Sequence, residues 1–297
     1  MKLETLLTEQ CNPASAQIDA LSTFEMMRII NEEDKKVALA VEAALPSIAN
    51  AVDAIVDRMK SGGRLFYTGA GTSGRLGVLD ASECPPTYSV SPDLVQGFIA
   101  GGDKALRKAV EGAEDSSDLG AQEMLDLGFN SGDVLCGIAA SGRTPYVLGA
   151  IEKAKSLGAL TIAVSCSPNS LLSQAAQMAI EVLPGPEVVT GSTRMKAGTA
   201  TKLVLNMLST GAMIRLGYVY GNLMVNVQPT NEKLVDRAIR IIMQALNLDR
   251  DSASRLFETS GNVVRTAIVM GKLGINKLEA EQRLSAAAGS IQQALMS

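Results

Sequence analysis

Five short apolar segments alternate with longer helical stretches in the middle of the chain, and this alternation limits the fold more than any other feature. Each segment has the length of a strand, and glycine-rich turns or helical patterns follow it. Strands that alternate with helices typically form a parallel sheet covered on both faces, so we expect an α/β fold. The predicted strands are Arg64–Thr68, Leu94–Ala100, Asp133–Ala139, Leu160–Ser165 and Met178–Leu183.

Helical patterns lie between these strands and at both ends of the chain. Before the first strand we predict two helices, one capped by Thr23 and one capped by Asn31. The predicted organisation is an N-terminal helical segment (1–53), a three-layer α/β/α domain (54–217) and a C-terminal helical region (218–297). The helices predicted around the sheet are Lys104–Leu127, Pro145–Leu157, Leu171–Ala176 and a long helix that follows the loop Glu187–Lys196 and ends at about Arg215.

The 297-residue chain contains no histidine, and this absence narrows the chemistry that it can perform. Histidine is the most frequent general base and a common zinc ligand. If the chain is an enzyme, its proton transfers must therefore fall to carboxylates, Lys, Tyr or Cys. The four cysteines show no CxxC spacing and no histidine can complete a zinc set, so we expect no zinc site.

Charge and hydropathy indicate the compartment and the partners. The formal net charge is −4 and aromatic residues make up 3% of the chain, which argues against nucleic-acid binding. The longest apolar helical stretch, Leu203–Leu216, contains Asn206 and Thr210 and is short for a membrane span. Glu4 and Glu9 interrupt any signal-peptide core. We expect a cytoplasmic protein that does not contact membranes.

Two loops rich in hydroxyl groups and glycine follow predicted strands. Thr72 and Ser73 lie in the first loop, and Ser141 and Thr144 lie in the second, just before Pro145. Helix N-termini attract anions, so these four side chains are candidates to bind one phosphate group. Alternatively, they are simple helix N-caps.

The first loop also matches the pattern G-x-G-x-x-G over Gly69–Gly74, which is found at dinucleotide sites. Such a site needs an acidic residue after the next strand, whereas Asp93 precedes that strand. A nucleotide-binding P-loop needs Lys followed by Ser or Thr, whereas this loop continues with Arg75-Leu76. The sequence therefore favours a site for a single phosphate group over either kind of nucleotide site.

Together the two loops resemble those of sugar isomerase (SIS) domains, which bind phosphosugars. The runs LDASECPPTY (79–88) and GPEVVTGSTRMKAGTATK (185–202) resemble the signature of N-acetylmuramic acid 6-phosphate etherases and the related glucokinase regulatory proteins. The resemblance spans nearly the whole chain, from NPAS (12–15) to TNEKL (230–234). One departure is visible, because many SIS domains have Ser-x-Ser-Gly in the second loop and this chain has Ala139 at the first position.

The resemblance implies an enzyme without a cofactor that releases D-lactate from N-acetylmuramic acid 6-phosphate. It implies that Glu83 is the general acid and that Glu114, in EGAEDS (111–116), is the base at C2 of the sugar, although the sequence itself leaves open which of the two is acid and which is base. Asp115 is an alternative to Glu114. From the spacing alone, four carboxylates of this region are predicted to share one face of a helix. They are Glu111, Glu114, Asp115 and Asp118.

Several questions stay open at the level of sequence. Arg194 and Lys196 either steer an anionic group of the substrate or pair with structural partners. SIS domains usually dimerise, so the resemblance implies a homodimer whose sites receive residues from both subunits. Two other functions share the same phosphate loops, namely a non-catalytic sugar-phosphate-binding regulator and an aldose–ketose isomerase.

Overall fold

The computed structural model describes residues 7–108, 110 and 112–296. Within them, five parallel strands form one sheet in the order β2-β1-β3-β4-β5. The α/β prediction is confirmed, and every predicted strand is present within about two residues at each end. The strands are β1 (Leu65–Gly69), β2 (Val95–Ile99), β3 (Val134–Ile138), β4 (Leu160–Ser165) and β5 (Met178–Glu181).

Helices connect the strands and extend the chain at both ends. Before the sheet lie α1 (Thr23–Ala43) and α2 (Leu45–Lys60). Among the strands lie α3 (Gly71–Tyr88), α4 (Lys104–Arg107), α5 (Ser117–Asp126), α6 (Pro145–Ser156) and α7 (Leu171–Ala175). After the sheet come α8 (Lys196–Arg215), α9 (Glu232–Leu246), α10 (Arg250–Thr259), α11 (Val264–Leu273), α12 (Lys277–Ala286) and α13 (Ile291–Ala294).

Close glycine contacts show which helix covers which face of the sheet. A side chain at Gly77 of α3 would touch Tyr67 and Ile138, whereas one at Gly137 of β3 would touch α6. Neighbouring residues of a strand point to opposite faces, so Gly137 and Ile138 face opposite sides. The sheet therefore lies between α3 and α6, as the three-layer prediction requires.

The chain divides into two compact units, and the division interrupts α3 and α8. One unit contains the described residues up to Ser82 together with Asp93–Ser209, and it holds the sheet. The other contains Glu83–Pro92 and Thr210–Ser297. Its core is formed by the C-terminal helices, with Ile242, Phe257 and Ile268 among its buried residues. The boundaries given above at residues 53 and 217 stay predictions.

The N-terminal helices begin at other residues than the sequence indicated. Ser22, and not Thr23, caps α1, and its side chain and that of Glu25 form a reciprocal capping box. Asn31 lies inside α1 and begins no helix. The chain instead breaks at Ala44, directly before α2, whose first turn contains Pro46. Proline suits a first turn because its missing N–H would have no intrahelical partner there.

The single helix predicted over Lys104–Leu127 is wrong. The chain forms the short helix α4, then a turn of 3-10 helix at Ala113–Asp115, and then α5. Ser116 begins α5 by accepting a hydrogen bond from the backbone N–H of Leu119. Glu114 and Asp118 therefore lie on different elements, and the expected stripe of carboxylates on one helix does not form. Glu111 lies outside the described residues.

In the part of the chain that the structure describes, no single helix is long and apolar enough to cross a membrane. The bent pair α1 and α2 meets the criteria of length and composition only when its two members are taken together, with an angle of 58° between them.

Candidate active site

The order of the strands places a topological switch point between β1 and β3. The chain leaves β1 toward β2 on one side, whereas β4 and β5 follow β3 on the other. Parallel α/β sheets bind ligands outside the carboxyl ends of their strands at this point, because the two connecting loops diverge there. The two predicted phosphate loops are the connections that follow β1 and β3, so the fold brings them to this edge.

The first loop leads directly into α3. Helix α3 begins at Gly71, so Thr72 and Ser73 lie in its first turn, where the backbone N–H groups have no intrahelical partner. The two hydroxyl groups are half-buried and make no hydrogen bond within the described residues. A side chain at Gly74 would come within 2.6 Å of the carbonyl oxygen of Gly69, so only glycine permits this tight turn.

The hydroxyl groups of the second loop also lack hydrogen-bond partners among the described residues. Thr144 occupies the N-cap position of α6, yet its side chain makes no capping hydrogen bond. Ser141 is half-buried, and its hydroxyl has no partner among the described residues. The helix-capping alternative therefore does not account for these two side chains.

The loop after β4 adds polar groups that we did not single out from the sequence. A cavity of about 180 Å³ is lined by Ser141 together with Arg143, Ser167 and Asn169. The hydroxyl of Ser167 donates to the carbonyl oxygen of Ala140, which ties this loop to the second phosphate loop. The available signal was the run SCSPNS (165–170) directly after a predicted strand.

Glu114 lies beside the first phosphate loop. It lines a cavity of about 200 Å³ together with Ala70 and Gly71. Arg75 lines the same cavity, and its guanidinium donates to the carbonyl oxygens of Ala105 and Leu106, at 2.6 and 3.0 Å. These hydrogen bonds hold the connection after β2 against α3. The carboxylate of Glu114, which belongs to this connection, therefore lies close to the switch point. Asp115, the alternative base, lies on the same 3-10 turn, and the side chains of Glu114 and Asp115 are both exposed.

Glu83 lies inside α3. The helix continues through Pro85 and Pro86 to Tyr88, and the Glu83 side chain is exposed. Glu83 belongs to the compact unit of the C-terminal helices, whereas Glu114 belongs to the unit of the sheet. The pairing of these two carboxylates stays a prediction.

The two cations of the GSTRMK run (191–196) have different environments. Lys196 is buried, and its ammonium lies 2.7 Å from the carboxylate of Glu33. Glu187 accepts hydrogen bonds from the backbone N–H groups of Lys196 and Ala197, so it caps the N-terminus of α8. Arg194 is exposed and has no ion pair within the described residues. Only Arg194 of these two cations is therefore available to an anionic ligand.

No group of three or more metal-ligating Cys, Asp or Glu side chains is found among the described residues.

Comparison with known proteins identifies the family. A model of the glucokinase regulatory protein N-terminal SIS domain matches residues 47–155, and a model of the SIS domain matches residues 113–211. An N-acetylmuramic acid 6-phosphate etherase of Aliivibrio fischeri is 59% identical over 293 residues, which cover 99% of this chain and 98% of the relative. The chain belongs to the N-acetylmuramic acid 6-phosphate etherase family.

A second relative agrees with this assignment, and one solved structure shares the fold. An N-acetylmuramic acid 6-phosphate etherase of Aeromonas hydrophila is 57% identical over 291 residues, which cover 98% of each chain. A phosphoheptose isomerase from Francisella tularensis superposes with a TM-score of 0.51 at 21% identity, over 65% of this chain and 98% of that chain. At this identity the isomerase shares only the fold of the etherase family.

Proposed function

We propose that this chain cleaves the D-lactyl ether of N-acetylmuramic acid 6-phosphate and releases N-acetylglucosamine 6-phosphate and D-lactate. The observation that carries the proposal is the match to etherases over 99% of the chain. The unpartnered hydroxyl groups at the ends of β1 and β3 support it, because they suit the phosphate group of such a substrate. This reaction belongs to the breakdown of peptidoglycan amino sugars.

The reaction needs one base and one acid. In the open-chain aldehyde, the proton at C2 lies α to the carbonyl group, so a carboxylate base can remove it. The C2–C3 double bond forms, the C3–O bond breaks, and the acid donates its proton to the departing lactate oxygen. Water then adds its hydroxyl to C3 and a proton to C2, so one ether and one water become one alcohol and one lactate.

Glu114 is the base and Glu83 is the acid in this proposal. A chain without histidine must use other groups for both proton transfers, and carboxylates serve as acid and base in many enzymes. The support for Glu114 is its place in the cavity beside the first phosphate loop. The support for Glu83 is the resemblance of LDASECPPTY to the family signature and its exposure to an incoming ligand.

The acting form in the proposal is a homodimer. Asp80 of α3 and Asn206 of α8 are joined by a hydrogen bond of 2.6 Å, so these helices pack side by side. Their sequence neighbours Leu79 and Met207 are 51% and 37% exposed, which leaves apolar surface for a second copy. Leu79→Glu should produce monomers in light scattering, whereas Leu119→Glu, at a 54% exposed position of α5, should not. Unchanged mass of both variants would exclude this face.

We place the protein in the cytoplasm. All four cysteines lie among the described residues, and none forms a disulfide. This state is typical of a reducing compartment.

The direct test of the function is to incubate the purified chain with N-acetylmuramic acid 6-phosphate and to measure D-lactate. Glu83→Gln and Glu114→Gln should each abolish release, whereas Asp118→Asn, at an exposed position of α5, should not. Asp115→Asn decides whether Asp115 takes the role of Glu114. Failure of the wild-type chain to release lactate while it stays folded would refute the proposal.

Incubation in heavy water distinguishes the general acid from the base at C2. If Glu83 is only the acid, Glu83→Gln should still exchange the C2 proton for deuterium without releasing lactate. Glu114→Gln should lose both reactions. Loss of exchange in Glu83→Gln would overturn the assignment of Glu83 as the acid only. An aldose–ketose isomerase would exchange the proton and form a ketose, again without lactate.

A further inference from the structure

A cavity next to the first phosphate loop contains two cations that the reaction described above does not use. Its volume is about 250 Å³, and Thr72, Arg194, Gly198 and Lys202 line it. All of these residues belong to the unit that contains the sheet. Three of them lie in the signature run GPEVVTGSTRMKAGTATK (185–202), whose chemical purpose the phosphate loops leave unexplained.

No described residue neutralises either cation. Arg194 and Lys202 are exposed, and within the described residues neither forms a hydrogen bond or ion pair through its side chain. The third cation of this run, Lys196, differs because it is buried against Glu33. The carboxylate of Glu187 already occupies the N-terminus of α8. An anion in this cavity would therefore be bound by the two side chains and not by the helix end.

The cavity is also close to the phosphate loop. Gly198 lies in the first turn of α8, and a side chain at this position would approach Cγ2 of Thr72 to 3.4 Å. The missing side chain leaves space between the loop and the two cations. A ligand whose phosphate lies at the switch point can thus extend a second negatively charged group toward Arg194 and Lys202.

We propose that Arg194 and Lys202 bind the lactyl carboxylate of N-acetylmuramic acid 6-phosphate and so determine specificity for the lactyl ether. The proposal rests on the proposed function, because it assumes this substrate. The substrate carries two anionic groups and its amino-sugar product carries one. A guanidinium suits a carboxylate because it can donate two parallel hydrogen bonds, and a nearby ammonium adds a point charge.

Binding measurements test this assignment separately from catalysis. In a Glu83→Gln background, the affinity for N-acetylmuramic acid 6-phosphate is compared with that for N-acetylglucosamine 6-phosphate by calorimetry. Arg194→Gln and Lys202→Gln should each weaken binding of the lactyl compound about tenfold and leave binding of the other compound nearly unchanged. Arg194→Lys keeps the charge but loses the paired donors, so its loss should be smaller. Lys60→Gln, at an exposed position at the end of α2, is the control for net charge.

Kinetics of the otherwise wild-type chain provide the second measurement. Arg194→Gln and Lys202→Gln should raise KM for lactate release about tenfold and change kcat much less, as expected for loss of uniform binding. Equal weakening of both sugar phosphates would show that the cations bind the phosphate, and it would overturn the proposal, as would unchanged affinity for both. A wild-type chain that binds both sugars but releases no lactate would instead refute the proposed function.

Discussion

The ammonium nitrogen of Lys196 lies 2.7 Å from a carboxylate oxygen of Glu33, and the two side chains are only 1% and 4% exposed. Asn12 donates to the same carboxylate at 2.9 Å and also to the carbonyl oxygen of Pro186. This cluster connects Asn12, which precedes α1, with α1 itself and with the start of α8. The signature run that contains Arg194 is thus held by a buried network on both sides of Arg194, at Pro186 and at Lys196.

Lys196→Met should lower the free energy of unfolding by about 3 kcal/mol, because it leaves the Glu33 carboxylate buried without its main cation. Lys36→Met is the matched control. Lys36 binds the other oxygen of Glu33, but its side chain is 59% exposed, so its loss should cost less than about 1 kcal/mol. Urea unfolding followed by circular dichroism measures both. If both variants lose the same free energy of unfolding, burial does not determine how strongly each lysine stabilises the Glu33 carboxylate.

The same carboxylate should make the protein sensitive to acid. Burial alone would raise the pKa of Glu33, but hydrogen bonds from Lys196, Lys36 and Asn12 outweigh it and lower the pKa from 4.5 to about 2. A lowered pKa contributes stability that is present above pH 4.5 and is lost as the pH falls toward 2. The stability difference between wild type and Glu33→Gln should therefore shrink from pH 6 to pH 3. A constant difference over this range would contradict the assignment.

The pKa of Glu123 should give the opposite pH dependence, so that the protein loses stability as the pH rises. Burial, with a smaller contribution from Asp126, raises the pKa of Glu123 from 4.5 to about 7, and the hydroxyl of Tyr146 donates to its carboxylate. A raised pKa contributes stability that is complete below pH 4.5 and is lost as the pH rises through about 7. Glu123→Gln should thus melt higher than wild type at pH 8 and show no such advantage at pH 5. Thermal melts at the two pH values measure the effect, and Asp126→Asn tests the smaller electrostatic contribution.

The close packing of α5 against α6 should not tolerate a methyl group at Gly149. A Cβ atom there would lie 2.0 Å from the carbonyl oxygen of Ser117, so the helices would have to separate. We expect Gly149→Ala to cost about 2 kcal/mol or more. Gly128→Ala is the control, since Gly128 has a φ of +59° and open space around it, so only backbone strain of about 1 kcal/mol is expected. Chemical denaturation should rank the two variants in this order.

Removal of the unpartnered hydroxyl groups should weaken phosphate binding without disturbing the fold. Thr72→Val and Ser141→Ala should each raise KM for the sugar phosphate about tenfold, since each removes a hydrogen bond to a charged group. Inorganic phosphate should also inhibit these variants less strongly than wild type. Ser156→Ala, at an exposed position at the end of α6, should behave as wild type. Unchanged KM in both test variants would place the phosphate elsewhere.

The sheet could be predicted from local pattern. The range Leu160–Ser165 was predicted as a strand and is β4, and α7 ends one residue before its prediction. Short apolar segments bounded by turn residues are strands in an α/β chain because only a covered parallel sheet buries them on both faces. The two phosphate loops follow from the same pattern, since the carboxyl ends of parallel strands share one edge.

The sequence alone thus determined the α/β class, the order of strands and helices along the chain, and the hydroxyl-bearing loops. Tertiary structure decided which polar residues are available to a ligand. Lys196 and Arg194 are indistinguishable in the sequence, yet one is neutralised by Glu33, 163 residues away, and the other is exposed. The break before α5 is a similar case, because a periodic pattern does not show where the chain turns back to pack on α6. Both outcomes depend on contacts between distant segments, which form only when the chain folds.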